Sequence, residues 1–187
     1  EEFKEKIISK YEGHIPCELV FQALDALPEG FTCPADRTKP WGTNHAVMMG
    51  ADVIKEPFAV INCDDFYGSD SYQVMGKFLS ELPEGAKNTY AMVGFRVGNT
   101  LSESGTVSRG LCTANDQNQL TSVVERTKIQ RMDGEVKYLD ENEEWVATPE
   151  TTPASMNFWG FTPDYFAYSQ EFFKSFLSDP KNMENLK

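Results

Sequence analysis

Apolar and polar positions fall into short blocks that switch period along the chain, and that switching carries most of the structural information. The opening "EEFKEKIISK" reads as an amphipathic helix. "PCELVFQAL" from Pro16 is a short apolar run that suits a strand or a helix equally. "PEGFTCPADRTKPWGT", residues 28–43, is a loop rich in Pro and Gly. Thr43 and Asn44 are good helix N-caps, and Ala46, Val47, Gly50, Ala51 and Ile54 follow at helical spacing, so a helix is predicted to start there. "PFAVIN" from Pro57 has almost no polar alternation and predicts a strand buried on both faces. Helix returns over Ser71 to Leu82.

The second half reads mostly as strand. "NTYAMVGFRVG" from Asn88 predicts another buried strand, and "GTVSRGLCTAN" and "QLTSVVERTKI" two more, separated by the turn "NDQN". Asp133-Gly134 lies between alternating segments in "IQRMDGEVKYL", a strong hairpin signal. "SMNFWGFTP" predicts a further strand. A last helix is expected from Pro163 to Leu177, with Phe166, Phe173 and Phe176 available for its buried side. Alternating strands and helices point to an α/β layered architecture.

Composition narrows this picture. The 187 residues suit one sizeable domain, expected to span 1–187, and 40% hydrophobic with 25% charged residues predicts a packed core. A net charge of −12 argues against nucleic acid or an anionic membrane as partner, because both select cationic surfaces. No apolar run approaches the roughly 20 residues that cross a bilayer. Cys17, Cys33, Cys63 and Cys112 show no CxxC and no clustering with His, so zinc is not expected. They are expected as small buried hydrophobes in a reducing cytoplasm.

Four stretches could carry chemistry. In "FAVINCDDFYG" an apolar strand runs into Asp64 and Asp65. Ligands collect outside the carboxyl ends of strands in open parallel sheets, and magnesium is typically held by one or two carboxylates plus water and phosphate oxygens. The same pair could simply solvate a turn. In "DRTKPWGTNHA", Gly42 permits close approach of a ligand to the backbone, Arg37 and Lys39 supply local positive charge, and His45 suits packing or capping better than a base. Glu125 and Arg126, with Lys128, could grip a sugar hydroxyl and a phosphate together. "GTVSRG" and Asn157 of "MNFWGF" each set a polar group beside glycine or aromatics.

Taken in order, the Gly-Thr-x-His-Ala helix start, the strand ending in Asp-Asp, the Gly-containing hairpin, Val-Glu-Arg and the Asn-bearing strand resemble the sugar nucleotidyltransferases, from about Pro40 to Thr162. The resemblance implies a Rossmann-like three-layer α/β/α fold, with a mostly parallel sheet and added β-hairpins. It implies a magnesium-dependent enzyme joining a nucleoside triphosphate to a sugar 1-phosphate with release of pyrophosphate. Gly42 and Thr43 would then lie against the nucleoside base. Asp64 would hold magnesium, with Asp65 as second choice. Gly105 and Arg109 would line the sugar side, and Glu125 and Asn157 would meet sugar hydroxyls. Arg126 stands where many relatives carry lysine, so catalysis would fall to Asp64 and Arg126.

Two features of such enzymes have no counterpart here. One is a Gly-rich phosphate loop ending in Arg and Lys; the other is a second metal-binding Asp in a matching motif, for Asp164 and Asp179 do not sit in one. The chain therefore reads as the middle of a longer cytoplasmic enzyme, incomplete at both ends and inactive by itself. Its exposed sheet edge is expected to cost solubility or to pair with another copy. Two further readings stay open. One is a metal-dependent glycosyltransferase using a nucleotide-sugar, although such enzymes usually space their acids as Asp-x-Asp. The other is a non-catalytic nucleotide-sugar-binding domain.

Overall fold

A computed structural model describes residues 6, 8–11 and 13–184. Its helices are α1 (Thr43–Met48), α2 (Ser69–Ser80), α3 (Tyr165–Leu177) and α4 (Pro180–Glu184). Its strands are β1 (Phe58–Val60), β2 (Ala91–Arg96), β3 (Val107–Ala114), β4 (Leu120–Met132), β5 (Glu135–Leu139), β6 (Trp145–Thr148) and β7 (Pro153–Phe161). The amphipathic helix expected at the N-terminus lies largely outside the described residues; Ile8–Lys10 form a 3-10 turn. Among the described residues no helix is long and apolar enough to cross a membrane. The chain packs as two compact units, Glu56–Pro163 and the remainder on either side of it.

The unit Glu56–Pro163 is a seven-stranded sheet in the order β1-β7-β3-β4-β5-β6, with β2 also paired to β7. Every pairing is antiparallel, which corrects the expected Rossmann-like α/β/α fold with its mostly parallel sheet. The strand–helix–strand alternation of β1, α2 and β2 implies only that β1 and β2 run the same way. They do, since both oppose β7. A parallel ladder would need them adjacent, and β7, from far later in the chain, lies between them.

Local signals fare better. Asp133 (φ 53) and Gly134 (φ 84) both adopt positive φ between β4 and β5, the requirement of a type I′ hairpin. The β3–β4 turn closes where Asn115 Oδ1 accepts the Gln117 and Gln119 amides at 3.1 and 2.9 Å. β6 adds a strand beyond those the pattern predicts. β1 is shorter and more open than expected: Ala59 is exposed and its neighbours half-buried, because only β7 borders it. One core cluster joins Val97, Leu111, Ile129, Val136 and Ala154 under the hairpins. A second joins Tyr67, Met75 and Phe158 where α2 packs on β7. Gly160 makes that second contact possible, since a Cβ there would collide with the Met75 sulfur.

In the other unit, α1 and α3 enclose Trp41, Met48, Phe173 and Leu177, with Phe176 partly buried beside them and Phe166 also buried. Asn44 Oδ1 accepts from both Tyr165 Oη and Ser169 Oγ at 2.6 Å, tying α1 to α3, and burial pushes the Tyr165 phenol pKa up. The run from Pro16 forms neither strand nor helix. It is held instead by side chains: Trp41 Nε1 donates to the Leu24 carbonyl (2.8 Å) and His45 Nε2 to that of Ala26 (2.7 Å). That leaves His45 Nδ1 to accept from Gln22 Nε2 (3.1 Å), so both ring nitrogens have partners in the core. The four cysteines are free, but only Cys112 is buried, and burial raises its pKa; Cys17 and Cys63 are exposed, against the expectation of four small core residues.

Candidate functional site

The sheet of the Glu56–Pro163 unit opens along β7. On one side, β1 pairs with Trp159–Phe161 and β3 with Ala154 and Ser155, which leaves Met156, Asn157 and Phe158 between them without a strand partner. On the other side, β2 jumps from Gly94↔Ser155 to Met92↔Trp159, so three residues of β7 face Val93 alone. This bulge holds Asn157 at φ 60, a left-handed conformation that Asn tolerates better than most residues. Bulges of this kind re-aim side chains, and here the bulge lies at the fork.

A cavity of about 230 Å³ occupies the fork. The segment after β1 contributes Asn62 and Asp65, β3 contributes Arg109 and Gly110, β4 contributes Glu125, and β7 contributes Asn157 and Trp159. Gly110 keeps the space open: a Cβ there would come within 2.7 Å of Val123 Cγ1 and 3.6 Å of Glu125 Oε2.

The polar groups around the cavity are partly unspent. The Arg109 guanidinium donates to the carbonyls of Ser108 (2.8 Å) and Thr100 (2.9 Å), pairs with no carboxylate among the described residues, and leaves its buried Nε without a partner. Glu125 is exposed and makes no hydrogen bond or ion pair among the described residues, and the Asn157 side-chain amide is equally free. Asp65 Oδ2 accepts from Asn62 Nδ2 (2.8 Å) and is 3.4 Å from Tyr67 Oη, while its Oδ1 remains available. Burial holds the Tyr67 phenol pKa above its ordinary value, with the nearby Asp65 carboxylate adding to the effect.

The remaining residues singled out in the sequence lie elsewhere. Asp64 is exposed beside Asp65 but outside the cavity lining. Gly105 (φ 126) forms a bridge with Ser102 and is also outside it. Arg126 follows Glu125 in β4, and successive strand residues point to opposite faces. It therefore turns away from Glu125, pairs with Glu141 at 2.8 Å and covers the Tyr138 ring at 4.5 Å. Gly42 and Thr43 belong to the other unit, where Gly42 (φ 97) precedes α1 and its carbonyl accepts from Gln22 Nε2 at 3.1 Å.

Among the described residues, no group of three or more His, Cys, Asp or Glu side chains is placed to hold a metal. An all-protein cage is thus not formed. Asp64, exposed outside the cavity, and Asp65, whose Oδ1 is available at its lining, are each the kind of single carboxylate that magnesium takes when water and phosphate oxygens complete its shell.

Asn62, Tyr67 and Trp159 join the site without having been singled out. Trp159 carried a signal, since it lies two residues beyond Asn157. Tyr67 carried none, because its role depends on Met156, remote in the chain. No protein-family model matches the chain, and no curated protein matches it.

Proposed function

We propose that the protein is a magnesium-dependent nucleotidyltransferase that joins a nucleoside triphosphate to a sugar 1-phosphate. The observation that carries this reading is the fork cavity. Four residues nominated by motif order, Asp65, Arg109, Glu125 and Asn157, come from four separate segments and line one space with unspent hydrogen-bonding groups. Carboxylate and amide acceptors suit sugar hydroxyls, the half-buried Trp159 offers an apolar face for a sugar ring, and Arg109 offers charge for a phosphate.

In the reaction, an oxygen of the sugar 1-phosphate forms a bond to the α-phosphorus. The bond from that phosphorus to the bridging oxygen breaks, and pyrophosphate leaves with the electron pair. Glu125 and Asn157 bind and orient the sugar, so the attacking phosphate is held in line. Arg109, fixed by two backbone carbonyls, offsets negative charge without having to reorganise. Asp64, or Asp65 as second choice, would hold magnesium, which when bound screens the approach of one anion to another. Arg126, paired with Glu141, is not part of this cavity.

The test is pyrophosphate release by the complete gene product with magnesium, each nucleoside triphosphate and a panel of sugar 1-phosphates. The expected outcome is release that needs one triphosphate and one sugar, and its loss by at least about a hundredfold in Asp64→Ala. Formation of free nucleoside diphosphate from a nucleotide-sugar would replace this reading with a glycosyltransferase. Nucleotide-sugar binding without any turnover would leave a binding domain.

A further inference from the structure

The end of β1 is joined to β7 in an unusual way. The β1–β7 register runs Phe58↔Phe161, Ala59↔Gly160, Val60↔Trp159, and extended by two residues it would set Asn62 opposite Asn157. No backbone pairing forms there. Instead the Tyr67 phenol oxygen accepts the Asn62 amide N–H at 2.9 Å and donates its proton to the Met156 carbonyl at 2.9 Å. A side chain thus completes both halves of one interstrand connection. The phenol also lies 3.4 Å from Asp65 Oδ2, whose other contact is Asn62 Nδ2 at 2.8 Å.

The ring has little freedom to move. Tyr67 is 5% exposed and packs edge-on against Phe158 and Tyr72, with centroids 5.0 and 6.3 Å apart, and tilted against Phe95 at 5.8 Å. Its own carbonyl accepts from Ser71 Oγ at 2.7 Å, which fixes the main chain at the start of α2.

We propose that Tyr67 is the positioning residue of the fork. Its phenol spaces the end of β1 from the bulge of β7, and so sets where Asp65 and Asn157 stand across the cavity. Met156 immediately precedes Asn157, so anchoring its carbonyl fixes the peptide plane from which the left-handed turn at Asn157 departs. Without the hydroxyl, the Asn62 N–H and the Met156 carbonyl lose their partners. The two strand segments then either close on one another or admit water, and in both cases Asp65 and Asn157 change separation. The consequence for ligand binding rests on the sugar-phosphate reading of the cavity; the brace itself does not.

The test compares Tyr67→Phe with Tyr72→Phe in 15N-labelled protein. Tyr72 belongs to the same ring cluster, but its hydroxyl makes no hydrogen bond among the described residues. Three quantities are read: amide exchange at Asn62, the Asn157 backbone and side-chain resonances, and affinity for glucose 1-phosphate with magnesium. Tyr67→Phe is expected to speed Asn62 exchange by about tenfold or more, to move the Asn157 resonances and to weaken binding by about tenfold, while Tyr72→Phe changes none of them. Unchanged Asn62 exchange overturns the proposal. So does faster exchange with unmoved Asn157 resonances, which makes the bond structural only. If the parent protein binds neither glucose 1-phosphate nor any other member of the sugar 1-phosphate panel while the first two readouts move as expected, the sugar-phosphate reading fails and the brace stands. Should Tyr67→Phe unfold, the parent protein carries the test. A slowly exchanging Tyr67 hydroxyl proton close to the Asn62 amide is expected, and its absence overturns the brace.

Discussion

The two units of this protein solve the same problem by different means. In Glu56–Pro163, main-chain groups are satisfied chiefly by other main-chain groups, along an antiparallel ladder that runs through seven strands. In the other unit, residues 16–42 have almost no regular structure and are mostly exposed, with a few local turns such as Ala26 to Ala23 and Arg37 to Pro34, so no ladder ties the segment to the helices. Side chains do the work. Trp41 reaches the Leu24 carbonyl, His45 that of Ala26, Gln22 that of Gly42, and Arg37, stacked 3.3 Å over the Trp41 ring, that of Lys39. A ladder spreads its stability over many equivalent bonds. Side-chain anchors concentrate it in a few residues, so the two units should differ in how single substitutions act on them.

The largest effect is expected at Trp41, which is 7% exposed and packs edge-on against Phe173 at 6.1 Å while holding the Leu24 carbonyl. Trp41→Ala should cost about 3–5 kcal/mol in denaturant unfolding, since it removes ring burial and an anchor together. A loss below about 1 kcal/mol would mean that the irregular segment does not depend on its anchors.

Gly110→Ala tests the ladder unit at the cavity. The added methyl meets Val123 Cγ1, the end of a short branched side chain in the facing strand, so the pair must yield. A cost of about 1–3 kcal/mol is expected, with the melt remaining cooperative because neighbouring rungs persist. Weaker sugar 1-phosphate binding should accompany it, as the methyl and the displaced Val123 both stand at the cavity lining.

The smallest effect concerns the turn between β5 and β6. Asp140 accepts the Glu144 amide at 2.9 Å and the Asn142 amide at 2.8 Å, and these bonds, the Glu144 one foremost, hold its pKa below the ordinary 3.8. A depressed carboxylate adds stability above its unfolded pKa and loses it as pH falls through the folded one. The Glu144 amide resonance should therefore hold steady from neutral pH down to pH 4 or so and move only below that. Asp140→Ala should abolish the titration and leave global stability nearly unchanged, because the half-buried carboxylate bonds only within its own turn.

Much of the local structure was legible in the chain. Asp133-Gly134 specifies its own turn because both residues tolerate positive φ, and α3 follows from the spacing of Phe166, Phe173 and Phe176. The opposite orientation of Glu125 and Arg126 was equally available, since adjacent strand residues cannot share a face. Their joint grip on one ligand was an expectation that this period already opposed. The irregular segment from Pro16 was ambiguous for a physical reason: its apolar residues lack a period, and the anchors that shape it, Trp41 and His45, lie well downstream.

What the sequence determined alone was therefore most of the elements, several of their turns, and a group of polar residues on strands or just beyond them. These depend on neighbours within a few positions, where steric preference and side-chain period act directly. Only the tertiary structure decided that β7 enters between β1 and β2, which makes the sheet antiparallel. It also decided that β7 bulges at Asn157, and that the phenol of Tyr67 spans the gap to Met156. Each of these is a contact between segments remote in the chain. Such a contact is selected by competition among all the surfaces that could bury one another, and no local pattern records which of them prevails.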